Sequence, residues 1–247
     1  MPVVFFSGGI DSTTIAYDVG VNPHRYGVTV NERTELRLLI AGPPSKKRQT
    51  TGIVRHLSSR AKMRVVAETV DDSHLVCYQS QGLRPGGNTT LTVMLDRYGP
   101  DLATVPYTPG WMLWMASVAV NRLAGWADIT QDYNPEQAFL GHQWNGPVWR
   151  AIEKGDLPAY DSVPAFYTAL DAAVAACHER VRIRVPFLDN RMDRAMIVQL
   201  AVDLGVPLHE TSSCLQGWKK DCGACSACLL RQGAFRTLGL NDDGKVK

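Results

Sequence analysis

Apolar residues along this chain fall into short blocks separated by polar, turn-rich stretches. Val3 to Phe6 is a β-branched and aromatic run that stops at Ser7-Gly8-Gly9, after which Thr13-Thr14-Ile15-Ala16-Tyr17 begins a helical pattern. This reads as strand, tight loop, helix. Further strands are predicted over Tyr26 to Val30 and Met63 to Ala67, with a polar, helix-compatible stretch between them. Trp111 to Ala127, rich in Met, Leu, Ala and Val and preceded by Pro109-Gly110, predicts a buried helix. Pro135 to Pro158 contains Gly141, Gly146, Pro147 and Gly155 and reads as a loop that can rim a site. A helix from about Ala165 to Glu179, a strand over Val181 to Val185 and a helix over Arg194 to Leu204 follow. Alternating strands and helices predict an α/β fold with a doubly wound, mostly parallel sheet. From about Pro207 the cysteines concentrate, which divides the chain into an α/β domain at 1–206 and a small C-terminal metal-binding subdomain at 207–247.

Composition narrows the class. With 247 residues, of which 45% are hydrophobic, the chain can bury a continuous core. Its 26 basic and 24 acidic side chains leave a formal charge of +2, which gives no global attraction to nucleic acid or membrane. The start, Met1-Pro2-Val3-Val4-Phe5-Phe6, lacks the basic segment and apolar length of a signal peptide. No apolar run approaches the roughly 20 residues of a membrane span. A cytoplasmic protein is expected, in which clustered cysteines hold metal rather than form disulfides. Lys46-Lys47-Arg48 with Arg55, Arg60, Lys62 and Arg64 makes a basic stretch, read as a solvated helix face in preference to a nucleic-acid contact.

Ser7-Gly8-Gly9-Ile10-Asp11-Ser12-Thr13 places two glycines directly after a strand, where the missing Cβ atoms let backbone N–H groups approach an anion. Hydroxyls of Ser7, Ser12 and Thr13 add donors, and the positive end of the following helix adds its dipole. The loop has no lysine, so it is not the Gly-Lys-Ser/Thr loop of γ-phosphate transfer. Asp11 beside phosphates requires a bridging divalent cation, for which Mg²⁺ is the expected ion. The competing reading makes the glycines a plain turn and Asp11 or Ser12 a helix cap.

Cys214, Cys222, Cys225 and Cys228 form C-x₇-C-x₂-C-x₂-C, a spacing suited to one tetrahedral Zn²⁺. Four thiolates close the coordination sphere, so the metal is expected to be structural. A redox Cys-x-x-Cys pair and an iron–sulfur cluster are the alternatives. Cys77 and Cys177 fall outside the pattern and read as buried thiols. His142 and Trp144 lie in the rim loop, either stacking on a flat base or packing.

The loop resembles the Ser-Gly-Gly-x-Asp-Ser signature of the N-type ATP pyrophosphatase superfamily, whose fold is of the adenine nucleotide alpha-hydrolase type. In that superfamily ATP adenylates a substrate oxygen and pyrophosphate leaves. Thr211-Ser212-Ser213-Cys214, Cys222-Gly223-Ala224-Cys225-Ser226-Ala227-Cys228, Arg231 and Ala234-Phe235 resemble the tail of 7-cyano-7-deazaguanine synthases. Leu140-Gly141, Pro186-Phe187-Leu188-Asp189 and Leu204-Gly205-Val206 recur in that family's order. The resemblance implies an enzyme, commonly a homodimer, that uses ATP and ammonia to convert the carboxylate of 7-carboxy-7-deazaguanine to an amide and then to a nitrile. It assigns Ser7, Gly8, Gly9, Ile10, Asp11, Ser12 and Thr13 to pyrophosphate and Mg²⁺. It puts Arg194 where the family carries a lysine opening a helix, to neutralise phosphate or carboxylate; a solvated helix-start arginine is the alternative. Tyr160 and Asp161 fall near the family's Tyr-Pro-Asp-Cys-Arg segment, where Asp161 would contact the deazaguanine N–H edge or else cap a loop.

The chain also departs from the family pattern. Val30-Asn31-Glu32-Arg33 stands where the family shows Asp-Tyr-Gly-Gln after the second strand, Thr108 and Pro109 replace an arginine and an asparagine, and Val163 replaces another arginine. Arg150, Arg182, Arg184 and Arg191 are candidates to replace these donors. The departures leave three further readings: an enzyme that stops at the amide, an adenylating enzyme with another acceptor such as a tRNA-thiolating type, and an inactive nucleotide-binding homologue.

Overall fold

The computed structural model describes residues 1–40, 44–70, 136–141, 143, 164–214, 221–224 and 226–241. The expected helix over Trp111 to Ala127, most of the rim loop with His142 and Trp144, and Cys77, Thr108, Pro109, Arg150, Tyr160, Asp161, Val163 and Cys225 lie outside these residues.

Five parallel strands form one sheet: β1 (Pro2–Phe6), β2 (Glu35–Ile40), β3 (Arg64–Thr69), β4 (Glu136–Phe139) and β5 (Val181–Arg184), in the order β3-β2-β1-β4-β5. The described helices are α1 (Ile10–Val21), α2 (Pro44–Ser58), α3 (Pro164–Cys177), the single turn α4 (Pro186–Asp189), α5 (Arg194–Asp203) and α6 (Ser226–Thr237). The chain is thus α/β with a doubly wound parallel sheet. Every residue of β1 is buried, because this central strand carries helices on both faces and its side chains alternate between them. Val4 and Phe6 join a core made with α1, α2, α5 and α6, whereas Val3 and Phe5 join a second core made with α3 and β5. Ala234, Phe235 and Leu240 belong to the first core, so the C-terminal segment packs on the same hydrophobic body as α1.

Four sequence expectations are corrected. The second strand is Glu35–Ile40, not Tyr26 to Val30: Pro23–Tyr26 forms a 3₁₀ turn closed by Gly27 in the left-handed region (φ 67), and Val30 is exposed. Leu36, Leu38, Leu39 and Ile40 bury far more apolar surface and take the place beside β1. Glu136–Phe139 is a strand within the stretch expected to be loop. Its polar Gln137 is tolerated because its Nε2 donates to the Tyr26 carbonyl at 2.9 Å while Ala138 and Phe139 fill the cores. Cys177 is exposed at the end of α3, beside exposed Ala176, rather than buried. Helix α1 also begins three residues earlier than expected, at Ile10.

Candidate functional site: a phosphate-type loop at the crossover of the sheet

Strand order reverses on either side of β1, so β1 and β4 open a crevice at their carboxyl ends, the place where doubly wound sheets bind ligands. The segments leaving β1, β4 and β5 at this end are Ser7–Gly9, Leu140–Gly141 and Val185–Arg194. Among described residues these bring together most of the positions singled out in the sequence.

Ser7-Gly8-Gly9 forms a loop closed by its own hydroxyls. Ser7 N donates to Ser12 Oγ at 3.1 Å, the Ser7 and Ser12 hydroxyls lie 3.0 Å apart, and Ser12 Oγ donates to Gly9 O at 3.2 Å. Gly9 is the N-cap of α1 and has no side chain to satisfy the first-turn N–H groups, which leaves them for an outside acceptor. Gly8 has φ 74, and a Cβ there would come within 2.9 Å of Thr50 Cγ2. Gly141, following β4, is pressed against α1: a Cβ there would fall 2.5 Å from Asp11 O. Only glycine fits a contact with backbone at that distance.

Asp11 pairs with the guanidinium of Arg194, the first residue of α5, with Arg194 Nη1 donating to Asp11 Oδ1 at 2.6 Å. Asp193 caps α5 by accepting from Met196 N at 2.9 Å, which sets the helix start that aims Arg194 at α1. Burial raises the Asp11 carboxyl above the ordinary carboxylate range, and the charge and hydrogen bond of Arg194 oppose that rise. Around the same end of the sheet, Thr13 Oγ1, Gln143 Oε1, Arg194 Nε and Ser213 Oγ are buried polar atoms with no hydrogen-bond partner among the described residues.

The cysteine site adjoins this loop. The Sγ atoms of Cys214, Cys222 and Cys228 all lie within 4.8 Å of one another, and Cys222 and Cys228 Sγ are 3.9 Å apart. Tetrahedral Zn²⁺ with bonds of about 2.3 Å requires sulfurs about 3.8 Å apart, so the three thiols fit such an ion. Cys214 and Cys228 are buried. Buried Arg231 ties α6 to the chain entering the site, donating from Nη1 to Thr211 Oγ1 at 2.8 Å and from Nη2 to Leu208 O at 2.8 Å. Ser212 N donates to Gly8 O at 3.0 Å, so the cysteine segment touches the phosphate-type loop directly. Sequence reasoning named Ser212 without a role; no local pattern marks a residue whose partner lies two hundred positions upstream.

One expected comparison moves. Val30-Asn31-Glu32-Arg33 precedes β2 and therefore lies at the amino end of the parallel sheet, away from Ser7–Gly9. Asn31 Oδ1 accepts from Arg33 N at 2.9 Å in a local turn. The segment that follows the true second strand is Ala41-Gly42-Pro43, outside the described residues. Arg55, Arg60, Lys62 and Arg64 of the basic stretch are exposed.

Comparison with known proteins agrees with this geometry. Residues 144–239 match the family described as "Queuosine biosynthesis protein QueC". A 7-cyano-7-deazaguanine synthase of Methanoculleus marisnigri is 30% identical over 97% of this chain and 96% of its own length. The chain belongs to the 7-cyano-7-deazaguanine synthase family. The synthase of Methanosphaerula palustris is 28% identical over the same shares, and 7-cyano-7-deazaguanine synthase 2 of Desulfitobacterium hafniense is 25% identical over 97% of this chain and 90% of its own. A solved U34-tRNA thiolase, NcsA of Methanococcus maripaludis with its [4Fe-4S] cluster, aligns with 14% identity and a TM-score of 0.44, covering this whole chain and 74% of the thiolase. That likeness is too loose to bear on chemistry. Among the described residues no helix is long and apolar enough to cross a membrane.

Proposed function

We propose that this chain is an ATP-dependent carbon–nitrogen ligase that makes 7-cyano-7-deazaguanine from 7-carboxy-7-deazaguanine and ammonia. The observation that supports it most is the glycine-capped start of α1, with the Ser7 and Ser12 hydroxyls 3.0 Å apart beside it, at the crossover of the sheet in a member of this family.

A carboxylate is a poor electrophile until its oxygen carries a leaving group. In the proposed sequence the substrate carboxylate oxygen attacks the α-phosphorus of ATP and pyrophosphate departs. Ammonia then adds to the acyl adenylate, expelling AMP and forming the amide with loss of a proton. A second ATP activates the amide oxygen in the same way, and departure of AMP with loss of the two amide N–H protons leaves the nitrile. The protein's share of this work is positioning and charge neutralisation. Gly9 N–H, the first-turn N–H groups at Ile10 and Asp11, and the hydroxyls of Ser7, Ser12 and Thr13 would hold pyrophosphate. Arg194 would neutralise phosphate oxygens, and Asp11, once released from Arg194, would hold Mg²⁺, which supplies charge neutralisation when bound.

In the same reading Tyr160 and Asp161 hold the deazapurine, and Cys225 completes a structural Zn²⁺ site with Cys214, Cys222 and Cys228. Residues 1–206 act as the ATP pyrophosphatase-type domain and 207–247 as its zinc-holding appendage. The protein would work in the cytoplasm as a homodimer on a small molecule, without direct nucleic-acid binding.

The test is mass spectrometry of products after incubating zinc-replete protein with 7-carboxy-7-deazaguanine, ATP, Mg²⁺ and ammonium, beside Asp11→Ala and Ser12→Ala. Nitrile with AMP is the expected result. Amide alone would identify a one-step enzyme, for which the replacement of two arginines and an asparagine by Thr108, Val163 and Pro109 is the motivating observation. ATP consumption only with another acceptor would overturn the substrate, and no turnover at all would leave a nucleotide-binding homologue.

A further inference from the structure

Ser212 touches both halves of the molecule's chemistry. Its N–H donates to Gly8 O at 3.0 Å, its carbonyl oxygen lies 3.6 Å from where a Gly9 Cβ would sit, and its Oγ donates to Asp221 Oδ1 at 2.8 Å. Asp221 immediately precedes Cys222, and Asp221 Oδ2 faces Arg231 Nε at 3.7 Å. Thr211, on the other side of Ser212, is held by the buried Arg231. Cys214 follows two residues later. Ser212 is therefore gripped by the cysteine segment on both sides and makes the main-chain contact that the segment offers to the loop.

The consequence follows from peptide planarity. Gly8 C=O and Gly9 N–H belong to one trans peptide and point in opposite directions. Gly8 sits at φ 74, and glycine's freedom leaves that peptide able to turn over unless something holds it. The hydrogen bond from Ser212 N to Gly8 O holds it, and so turns Gly9 N–H away from the cysteine segment, to the side of Ser7 Oγ at 3.3 Å. That hydrogen bond is long for N–H···O.

We infer that Ser212 and Asp221 are positioning residues for the nucleotide phosphates: the metal-holding segment fixes the Gly8–Gly9 peptide with its N–H presented to the anion. Through this contact the cysteine segment contributes to ATP affinity as well as holding the tail. The inference rests on the reading of Ser7–Thr13 as the phosphate loop.

The experiment measures Mg-ATP and pyrophosphate binding by calorimetry, together with bound metal per chain and thermal midpoint, for the full-length metal-replete protein and its variants. Ser212→Pro removes the N–H; Thr211, at φ −82 and ψ 143, already has the backbone that precedes a proline. It is expected to weaken Mg-ATP binding about tenfold with metal content unchanged. Ser212→Ala removes the Oγ–carboxylate anchor and should weaken binding about threefold; Asp221→Ala removes it together with the ion pair to Arg231 and should weaken binding at least as much. Because both variants lose the Ser212–Asp221 contact, the double variant should be no weaker than Asp221→Ala alone, and Asp221→Asn, which still accepts from Ser212 Oγ, should recover the affinity that this contact supplies. If the proline variant misfolds, the Ser212 and Asp221 pair with its rescue decides. Wild-type affinity in every folded variant, or losses that only track loss of metal, would overturn the inference while leaving the phosphate loop intact. A wild-type protein that binds neither Mg-ATP nor pyrophosphate would overturn the loop reading, and this inference with it.

Discussion

Arg194 and Asp11, 183 positions apart in sequence, meet with Nη1 and Oδ1 at 2.6 Å where the start of α5 faces the first turn of α1. Both side chains are largely enclosed, with 13% and 19% of their surface exposed. The pair therefore keeps two charges at the mouth of the loop that would otherwise bear the cost of desolvation singly. In the proposed function an incoming anion would give Arg194 a second partner and free the carboxylate. Replacing Arg194 by alanine should lower kcat/KM for ATP about 100-fold, as expected for losing a charge aimed at departing pyrophosphate. Arg194→Lys should stay within about tenfold of wild type, because a point charge survives although the planar fork is lost. Steady-state AMP release checks both, and equal rates for all three proteins would remove Arg194 from the site.

Gly141 makes a sharper structural demand. Its backbone lies so close to α1 that an added Cβ would sit 2.5 Å from Asp11 O and 2.9 Å from Ser12 N. Neither atom can yield as a flexible side-chain tip would. Gly141→Ala should cost about 1–3 kcal/mol of stability in urea denaturation and displace the N–H groups that begin α1. ATP binding should fall along with it. A variant with wild-type stability and affinity would show that β4 and α1 separate freely, contrary to this packing.

How much of this was legible in the sequence depends on the distance over which each feature is encoded. The strand Val3 to Phe6, the loop at Ser7 to Gly9 and the cysteine spacing are local, and each residue type reports its own backbone or ligand requirement. Glu136–Phe139 was not legible, since a four-residue strand carrying Glu136 and Gln137 shows no apolar run, and Gln137 is accommodated only by the carbonyl of Tyr26 far upstream. Tyr26 to Val30 misled for the opposite reason: it alternates like a strand, but Tyr26 is held in a 3₁₀ turn, its hydroxyl donating to buried Asp18 at 2.6 Å. Arg194 was visible as a helix opener, whereas its partner Asp11 and the contact of Ser212 with Gly8 are products of tertiary packing.

Metal removal tests the cysteine site separately from catalysis. Cys214 and Cys228 are buried, and Cys228 begins the stretch of α6 that leads to Arg231 and Phe235 in the core. Cys228→Ser should lose bound zinc and lower the thermal midpoint, because metal binding and ordering of this segment are one equilibrium. Cobalt substitution should give one equivalent per chain with thiolate-to-metal absorption. If the chelated protein melts with the same midpoint as the zinc form, the metal does not support the fold.

A pH effect should arise at the β5 edge of the sheet. Asp171 on α3 accepts from Arg182 Nε at 3.1 Å and from Ile183 N at 2.7 Å, tying the helix to β5, whose carboxyl end leads to Arg194. Desolvation raises the Asp171 carboxyl, but the Arg182 and Ile183 hydrogen bonds and the charges of Arg182 and Arg184 together outweigh it, leaving the group below its ordinary value. A carboxyl lowered on folding binds fewer protons in the native state than in the unfolded one. Its stabilisation is therefore complete above the unfolded value of about 3.9 and disappears as pH falls through the lower folded value. Arg182 is 48% exposed, so solvent screening limits the contribution of the ion pair. Asp171→Asn should thus cost only about 1 kcal/mol near neutral pH, and the difference from wild type should shrink in urea melts below about pH 4. A cost that stayed constant down to about pH 2 would mean that shape and neutral hydrogen bonding at Ile183, not the carboxylate charge, hold β5 to α3.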